Sequence, residues 1–254
     1  MTDLIVFTVG ENRYAMNIEN VQRIIESTNL TNIPNAHEYV DGMMSYEGGV
    51  IKVLNFRKLI HMTTYESELH KLFHTLKQGH VEWMESLTKS LETGSDFTKT
   101  LDSHACELGK WIDSFTAYDD KVVEILNRLI DYHKQLHTTG GIALELYKED
   151  KQKALNMLYV DMNNIYQHTM GALDTFVQEL DLVANSLQKL IIYDNDADLF
   201  AIKVDSIEDI AHVEESAFIA SSSDQEVNSF LDLDGVLDLR GFLVNVIKSV
   251  KLPN

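Results

Sequence analysis

From residue 63 to residue 188 the chain contains no proline, and its apolar side chains recur at spacings of three and four. Leu69, Leu72, Leu76, Trp83, Leu87 and Leu91 form one such stripe. Val122, Leu126, Leu129 and Ile130 form a second, and from about Asp150 the series Leu155, Leu158, Met162, Ile165, Met170 and Leu173 continues the pattern. That period predicts helices, and several helices joined by short links predict an antiparallel bundle.

Residues 1–62 and 189–254 read differently. Leu4–Phe7 and Tyr14–Met16 flank Gly10-Glu11-Asn12, which predicts a hairpin. A short amphipathic stretch with Val21, Ile24 and Ile25 on one side follows, and Pro34-Asn35 marks a turn. Gly42-Met43-Met44 and Val50–Leu54 bracket Glu47-Gly48-Gly49 as a second hairpin. Beyond the helices, Ile191–Tyr193 and Leu199–Ile202 flank Asn195-Asp196-Ala197. Asp234-Gly235 between Phe230–Leu233 and Val236–Leu239 predicts a further hairpin. Each strand-rich end is only about 60 residues, too short to bury much surface alone; joined, they reach an ordinary domain size. The expected organisation is an α+β chain of two domains, with a helical bundle (63–188) inserted into one discontinuous β domain (1–62 plus 189–254).

The 254 residues carry a net charge of −19, from 40 acidic against 21 basic side chains. Such a balance argues against nucleic acid and against anionic lipid surfaces, both of which select clustered Lys and Arg. The first residues, MTDLIVFTVGENRY, lack the basic and long apolar regions of a signal peptide. No run approaches the length of a membrane span. A single cysteine excludes an internal disulfide and suits a reducing, cytoplasmic compartment.

Three of the ten histidines stand where a bundle would put leucine. His80 lies between Leu76 and Trp83, and His133 and His137 follow Leu126, Leu129 and Ile130 on the same face. Residues four apart share one side of a helix, so His133 and His137 can turn two imidazoles to one point. One buried imidazole needs only a hydrogen bond, but three in one dry core need a stronger reason. Zinc supplies it, since it takes imidazole nitrogen and thiolate sulfur in tetrahedral sets of four. Cys106, expected at the start of the second helix, is the natural fourth donor, and a helix N-terminus favours its thiolate. On spacing alone His70, His74 and His104 remain alternatives. His70 and His74 are expected to face solvent beside Glu66 and Lys71. His104 either points away or supports the site from outside. No HExxH is present; Lys71 stands where that motif puts a base. Four protein ligands leave no open position, so a zinc hydrolase is disfavoured.

The series His80-Val-Glu-Trp83, Cys106-Glu-Leu-Gly-Lys-Trp111 and His133-Lys-Gln-Leu-His137 resembles the chemoreceptor zinc-binding (CZB) family. The resemblance implies a four-helix bundle with His80, Cys106, His133 and His137 as ligands of Zn²⁺. It also implies a homodimer through the bundle and a cysteine that couples zinc to chemical sensing. The flanks resemble CheW, the adaptor joining chemoreceptors to a histidine kinase. The matching stretches are Tyr14–Ile18, Ile33-Pro34-Asn35-Ala36, Tyr39–Gly42, Val50–Arg57 and Ile202–Ile207. This implies a double β-barrel of five strands each, and as partners the kinase regulatory domain and the receptor's cytoplasmic tip. The implied interface includes Ile33, Pro34, Gly42, Glu47, Gly48 and Arg57. Where that family carries Asn-Leu-Arg-Gly, this chain has Ser45-Tyr46-Glu47-Gly48, and Lys52 replaces the usual proline. The charge reversal at Glu47 should repel an acidic receptor tip. The expected function is a non-enzymatic signalling adaptor carrying a zinc module, either sensory or structural.

Overall fold

A computed structural model describes residues 2–117, 119–214 and 218–253, with side chains left undescribed over 218–227. The chain divides into two compact units, one of residues 1–65 and 184–254, the other of residues 66–183. Among the described residues no helix is long and apolar enough to cross a membrane.

The first unit is built of two sheets. One has the order β8-β1-β2-β11-β10-β9, from Ser206–Val213 (β8), Thr2–Val9 (β1), Asn12–Asn17 (β2), Phe242–Val250 (β11), Leu231–Leu239 (β10) and Phe218–Asn228 (β9). The other has the order β3-β6-β7-β5-β4, from Val21–Glu26 (β3), Lys189–Asp194 (β6), Leu199–Val204 (β7), Gly49–Asn55 (β5) and Val40–Tyr46 (β4). The described ladders thus give six and five strands rather than five and five. β1 and β8 pair antiparallel, and β9, β10 and β11 all join their sheet. Phe7, Met16 and Ile247 from the first sheet and Leu54, Ile191 and Phe200 from the second share one core. Phe7, Tyr14 and Phe56 pack there with ring centroids 4.8–5.8 Å apart, close enough to add aromatic attraction to area burial.

Two details differ from the sequence expectation. The stretch holding Val21, Ile24 and Ile25 is a strand after a 3-10 turn at Ile18–Asn20, because it pairs with β6 from Val21 to Glu26. Asp234-Gly235 is not a hairpin turn. β10 runs straight through it with a register shift between Leu233 and Gly235 on both neighbouring strands, a bulge that Gly235 accommodates at φ 156°. The turn lies six residues later, where Arg240 and Gly241 take φ 56° and 88° and join β10 to β11. Glu47-Gly48 does close the β4–β5 hairpin, also with both φ values positive.

A short helix, α1 (Phe56–Leu59), follows β5 and carries Arg57. The CheW resemblance put Arg57 at a partner interface, but its side chain is only 2% exposed. Nε and Nη2 donate to Asp205 at 2.8 and 2.6 Å, Nη1 donates to the Thr63 carbonyl at 2.9 Å, and the guanidinium lies over the Tyr65 ring. A guanidinium so completely matched within the unit has nothing left to offer a partner. Gly42 is also buried, its backbone passing so near the Thr31 carbonyl that a Cβ would meet it at 2.7 Å. Pro34, Glu47 and Gly48 are exposed and Ile33 is half-buried.

The second unit is helical. α2 (Tyr65–Thr93) carries the chain into it and α7 (Leu180–Leu187) carries it back. Between them lie α3 (Glu107–Ser114), α4 (Asp120–Glu149), α5 (Lys151–Met157) and α6 (Asn163–Gln178). Asp119 caps α4 by accepting from the Lys121 and Val122 amides, and Asp150 caps α5 from Lys153. α5 and α6 join through a π turn, Leu158–Met162, whose Leu158 and Met162 are buried in a core with Trp83, Leu87, Leu136 and Ala143. The stripe on α2 is buried at Leu69, Leu76, Trp83, Leu87 and Leu91, and so is His80 among them.

Candidate metal centre

Four donor atoms, one each from His80, Cys106, His133 and His137, lie within 4.8 Å of one another. α2 supplies the first and α4 the last two. Cys106 stands at the N-cap of α3. The Cys106 Sγ is 3.1 Å from His133 Nε2 and 3.9 Å from His80 Nε2. Tetrahedral zinc with N and S donors sets its ligand atoms about 3.3–3.8 Å apart, so closing the cluster on an ion asks only for small side-chain adjustments. The three rings pack edge to face with centroids 4.7–5.9 Å apart.

The surroundings orient the donors. His80 Nδ1 donates to the Leu76 carbonyl at 2.9 Å, which leaves Nε2 unprotonated and turned to the cluster. Trp83 packs on His137 at 4.9 Å, and its Nε1 donates to the Thr100 carbonyl at 2.8 Å, holding the loop that leads to Cys106. Gly140 makes room for that indole, since a Cβ there would stand 2.5 Å from Trp83 Cη2. The Gly109 amide donates to Cys106 Sγ at 3.3 Å. A Cβ on Gly109 would lie 1.8 Å from the Ser103 carbonyl oxygen. Gly109→Ala is therefore expected to cost about 1–3 kcal/mol through overpacking. Its thermal midpoint should fall in both metal-free and metal-loaded protein; an unchanged midpoint would refute this close-approach argument.

Neither ring nitrogen of His137 has a hydrogen-bond partner, although both are buried. The Thr100 and Leu101 backbone approaches this ring too loosely for a hydrogen bond of normal geometry and only partly offsets the effect of burial on it. An orphaned imidazole facing two others and a sulfur is the feature a bound cation would explain. Three imidazoles and one sulfur are also a donor set that zinc accepts.

Protonation follows from burial. His133 is lowered to about 3, by burial first and then by the neighbouring His80, His137 and His104. His137 is lowered to about 4, by burial and then by His80. His80 is lowered by burial against the opposing Leu76 hydrogen bond. All three are thus neutral at pH 7, as ligation requires. Cys106 differs from expectation. The Gly109 and Leu108 amides at the start of α3 do lower its pKa, but burial outweighs them and the net shift is upward. The metal-free side chain is a thiol. Zinc binding at pH 7 should accordingly release one proton per ion, from Cys106 alone. Calorimetry in buffers of different ionisation heats measures this directly, and release of two or more would contradict it. The sign follows: affinity falls as pH drops below the thiol pKa, and falls more steeply once His137 and His133 take up protons near 4 and 3.

The rival histidines lie elsewhere. His70 and His74 are exposed on α2. His104 is exposed and pairs with Asp113 at 3.0 Å rather than joining the cluster. Gly140 was not singled out from sequence; Gly109 stood in the Cys106–Trp111 series that carries the CZB resemblance, but no role was read for it.

Residues 3–79 match the CheW-like domain family and residues 80–144 match the chemoreceptor zinc-binding domain family, so the boundary between the matches falls within α2. The chemotaxis protein CheW of Thermotoga maritima is 23% identical over 70 residues, 28% of this chain and 46% of that protein. The chain therefore spans less than half the length of that curated relative. The scaffolding protein TtCheW from Thermoanaerobacter tengcongensis superposes with a TM-score of 0.46 at 10% identity, over 97% of this chain and 88% of that one. The chain joins a CheW-like domain to a chemoreceptor zinc-binding domain.

Proposed function

We propose that this chain is a coupling adaptor of a chemosensory signalling complex whose helical unit binds one zinc ion through His80, Cys106, His133 and His137. The adaptor works in the cytoplasm, and it answers to changes in zinc or to oxidants that reach Cys106. Its partners are the regulatory domain of a histidine kinase and, more weakly, a chemoreceptor tip. The observation that carries the reading is the four-donor cluster with an orphaned imidazole, in a helical unit whose two ends both continue into one β unit, the N-terminal part of which falls in the CheW-like match. Oxidation of a ligating cysteine removes a donor and weakens the hold on zinc, and loss of zinc loosens a core that depends on it.

The chain path supports transmission. Thr63 and Tyr65, where the chain leaves the β unit, both engage Arg57. Gln188, where it returns, donates to Asp205, the counterion of Arg57, at 3.3 Å. Both crossings are therefore anchored on one buried ion pair. At the proposed receptor face, the exposed Glu47 lies 4.0 Å from Arg23. This weakens the charge reversal without removing it.

The test is a kinase pull-down and coupling assay with zinc-loaded and chelated protein, alongside elemental analysis. Stoichiometric zinc with chelator-dependent coupling is the expected outcome; no zinc, or coupling indifferent to chelation and to Cys106→Ser, rejects it. A second reading, zinc as a purely structural staple, draws on the burial of all three histidines. It predicts that no oxidant or chelator removes the ion from folded protein. Hydrolytic chemistry is not proposed, because four protein donors leave no position for a substrate.

A further inference from the structure

Cys106 is the one half-exposed member of a cluster whose histidines are 1–4% exposed. The side on which it is exposed is a concavity. A cavity of about 500 Å³ lies between α2 and the segment from Lys99 to the first residues of α3, and both His80 and Cys106 form part of its wall. That volume is in the range that holds small molecules and excludes folded proteins. No other cavity described in the helical unit touches a member of the cluster.

The wall of this cavity holds an anomaly in α2. Gly79 sits in the middle of a 29-residue helix, directly before His80. Glycine there costs about 1 kcal/mol relative to alanine, so a structural reason is needed. Close packing is not that reason: a Cβ on Gly79 would meet no heavy atom within 4 Å. Gly109 and Gly140, by contrast, are demanded by neighbours at 1.8 and 2.5 Å. Gly79 lines the cavity, and any side chain there would project into open space beside the cluster. Gly171, on α6, has the same open surroundings and lines none of the described cavities.

We infer that this cavity is the route by which zinc enters and leaves the site in the company of a small chelating ligand, and that Gly79 keeps its mouth open. The inference rests on the zinc reading above. A molecule in the cavity approaches the cluster at Sγ and at the edge of His80, while the buried rings of His133 and His137 lie behind them. With zinc held by the four donors, a thiolate or amine entering by the cavity would compete first with Cys106, the half-exposed member of the set. Exchange by this route needs a small carrier, not a protein that docks on the helical unit.

The experiment compares zinc release from the full chain to the chromogenic chelator 4-(2-pyridylazo)resorcinol in wild type, Gly79→Phe and Gly171→Phe. Gly79→Phe should slow release about tenfold, equivalent to ~1.4 kcal/mol in the barrier, with unchanged zinc stoichiometry. Gly171→Phe, the control for a bulky residue on an open helical glycine, should release at the wild-type rate. Gln78→Trp, on the same wall, should repeat the slowing if Gly79→Phe folds poorly. Equal rates in all folded variants, or equal slowing in both glycine variants, would overturn the route while leaving the zinc site standing. A wild type that holds no zinc overturns the underlying reading instead, and the route with it.

Discussion

Replacing His137 by leucine should make the metal-free protein more stable and the zinc-loaded protein less stable than wild type. In the absence of metal, both ring nitrogens are buried without a partner, and an unsatisfied buried polar group costs about 1–3 kcal/mol. Leucine has similar bulk, carries no polar atom, and would face Trp83, which already packs on this position. With zinc the balance reverses. A ligand that binds only the folded state adds about 4 kcal/mol when present at a thousand times its Kd. A three-donor remnant loses most of that gain. Thermal midpoints of both proteins, each with zinc and with chelator, give the four values needed, at roughly 2–4 °C per kcal/mol for a chain of this size. The two melting orders should be opposite. If leucine lowers the midpoint under chelation, His137 is an ordinary core residue and the metal assignment loses its main support. Acidity adds a check in the same assay. His133 and His137 have folded pKa values of about 3 and 4, below the ordinary histidine value, so below that value the unfolded chain binds more protons than the folded one. Metal-free stability must therefore fall as pH drops from about 6.5 toward 4. His137→Leu should show a smaller fall, since one of the two groups is gone.

The parts of this molecule that sequence made legible are those set by local spacing. His133 and His137 lie four apart on one helix, so their convergence follows from helical geometry alone. His80 stood in an apolar stripe, but choosing it over His70, His74 and His104 took the family resemblance, because spacing within α2 does not say what α4 presents opposite. What escaped was set by partners distant in the chain. Asp234-Gly235 carries a strong turn signal, yet the pairing of β10 with both β9 and β11 makes it a bulge within one strand. The CheW resemblance put Arg57 at a partner interface, and sequence could not show its burial because its counterion lies 148 residues away. The Leu158–Met162 pair is spaced as in an α-helix, so a π turn between them left no mark on the apolar pattern. The Cys106 thiol was misjudged for a related reason: the helix start was visible from sequence, but the burial that outweighs it was not.

Removing either half of the Arg57–Asp205 pair should destabilise the β unit by about 3–5 kcal/mol, because the other half is left as an uncompensated buried charge. The pair is unusually well connected. Asp205 takes three bonds from the guanidinium, two of them from Nε, one from the Gly10 amide at 2.7 Å and one from Gln188. Arg57→Ala strands that carboxylate and frees the Thr63 carbonyl; Asp205→Ala strands the guanidinium, while the exposed Gly10 amide turns to water. The losses should not add. An apolar pair of similar volume, Arg57→Met with Asp205→Leu, removes both charges together, and replacing a buried ion pair in this way is often neutral or better. Stability should thus recover most of the way in the double variant, with a coupling energy of several kcal/mol in the cycle. Additive losses would mean that water reaches the pair and screens it. The double variant also separates stability from signalling. It restores a folded β unit but replaces the directed bonds that hold the chain at Thr63 and Gln188 with non-directional contact. If zinc acts on the β unit through those two crossings, hydrogen exchange in β5 and β7 should respond to zinc in wild type and not in the double variant, even though both proteins are folded and both bind the ion. A double variant whose exchange still follows zinc as wild type does would show that the ion pair serves the fold alone.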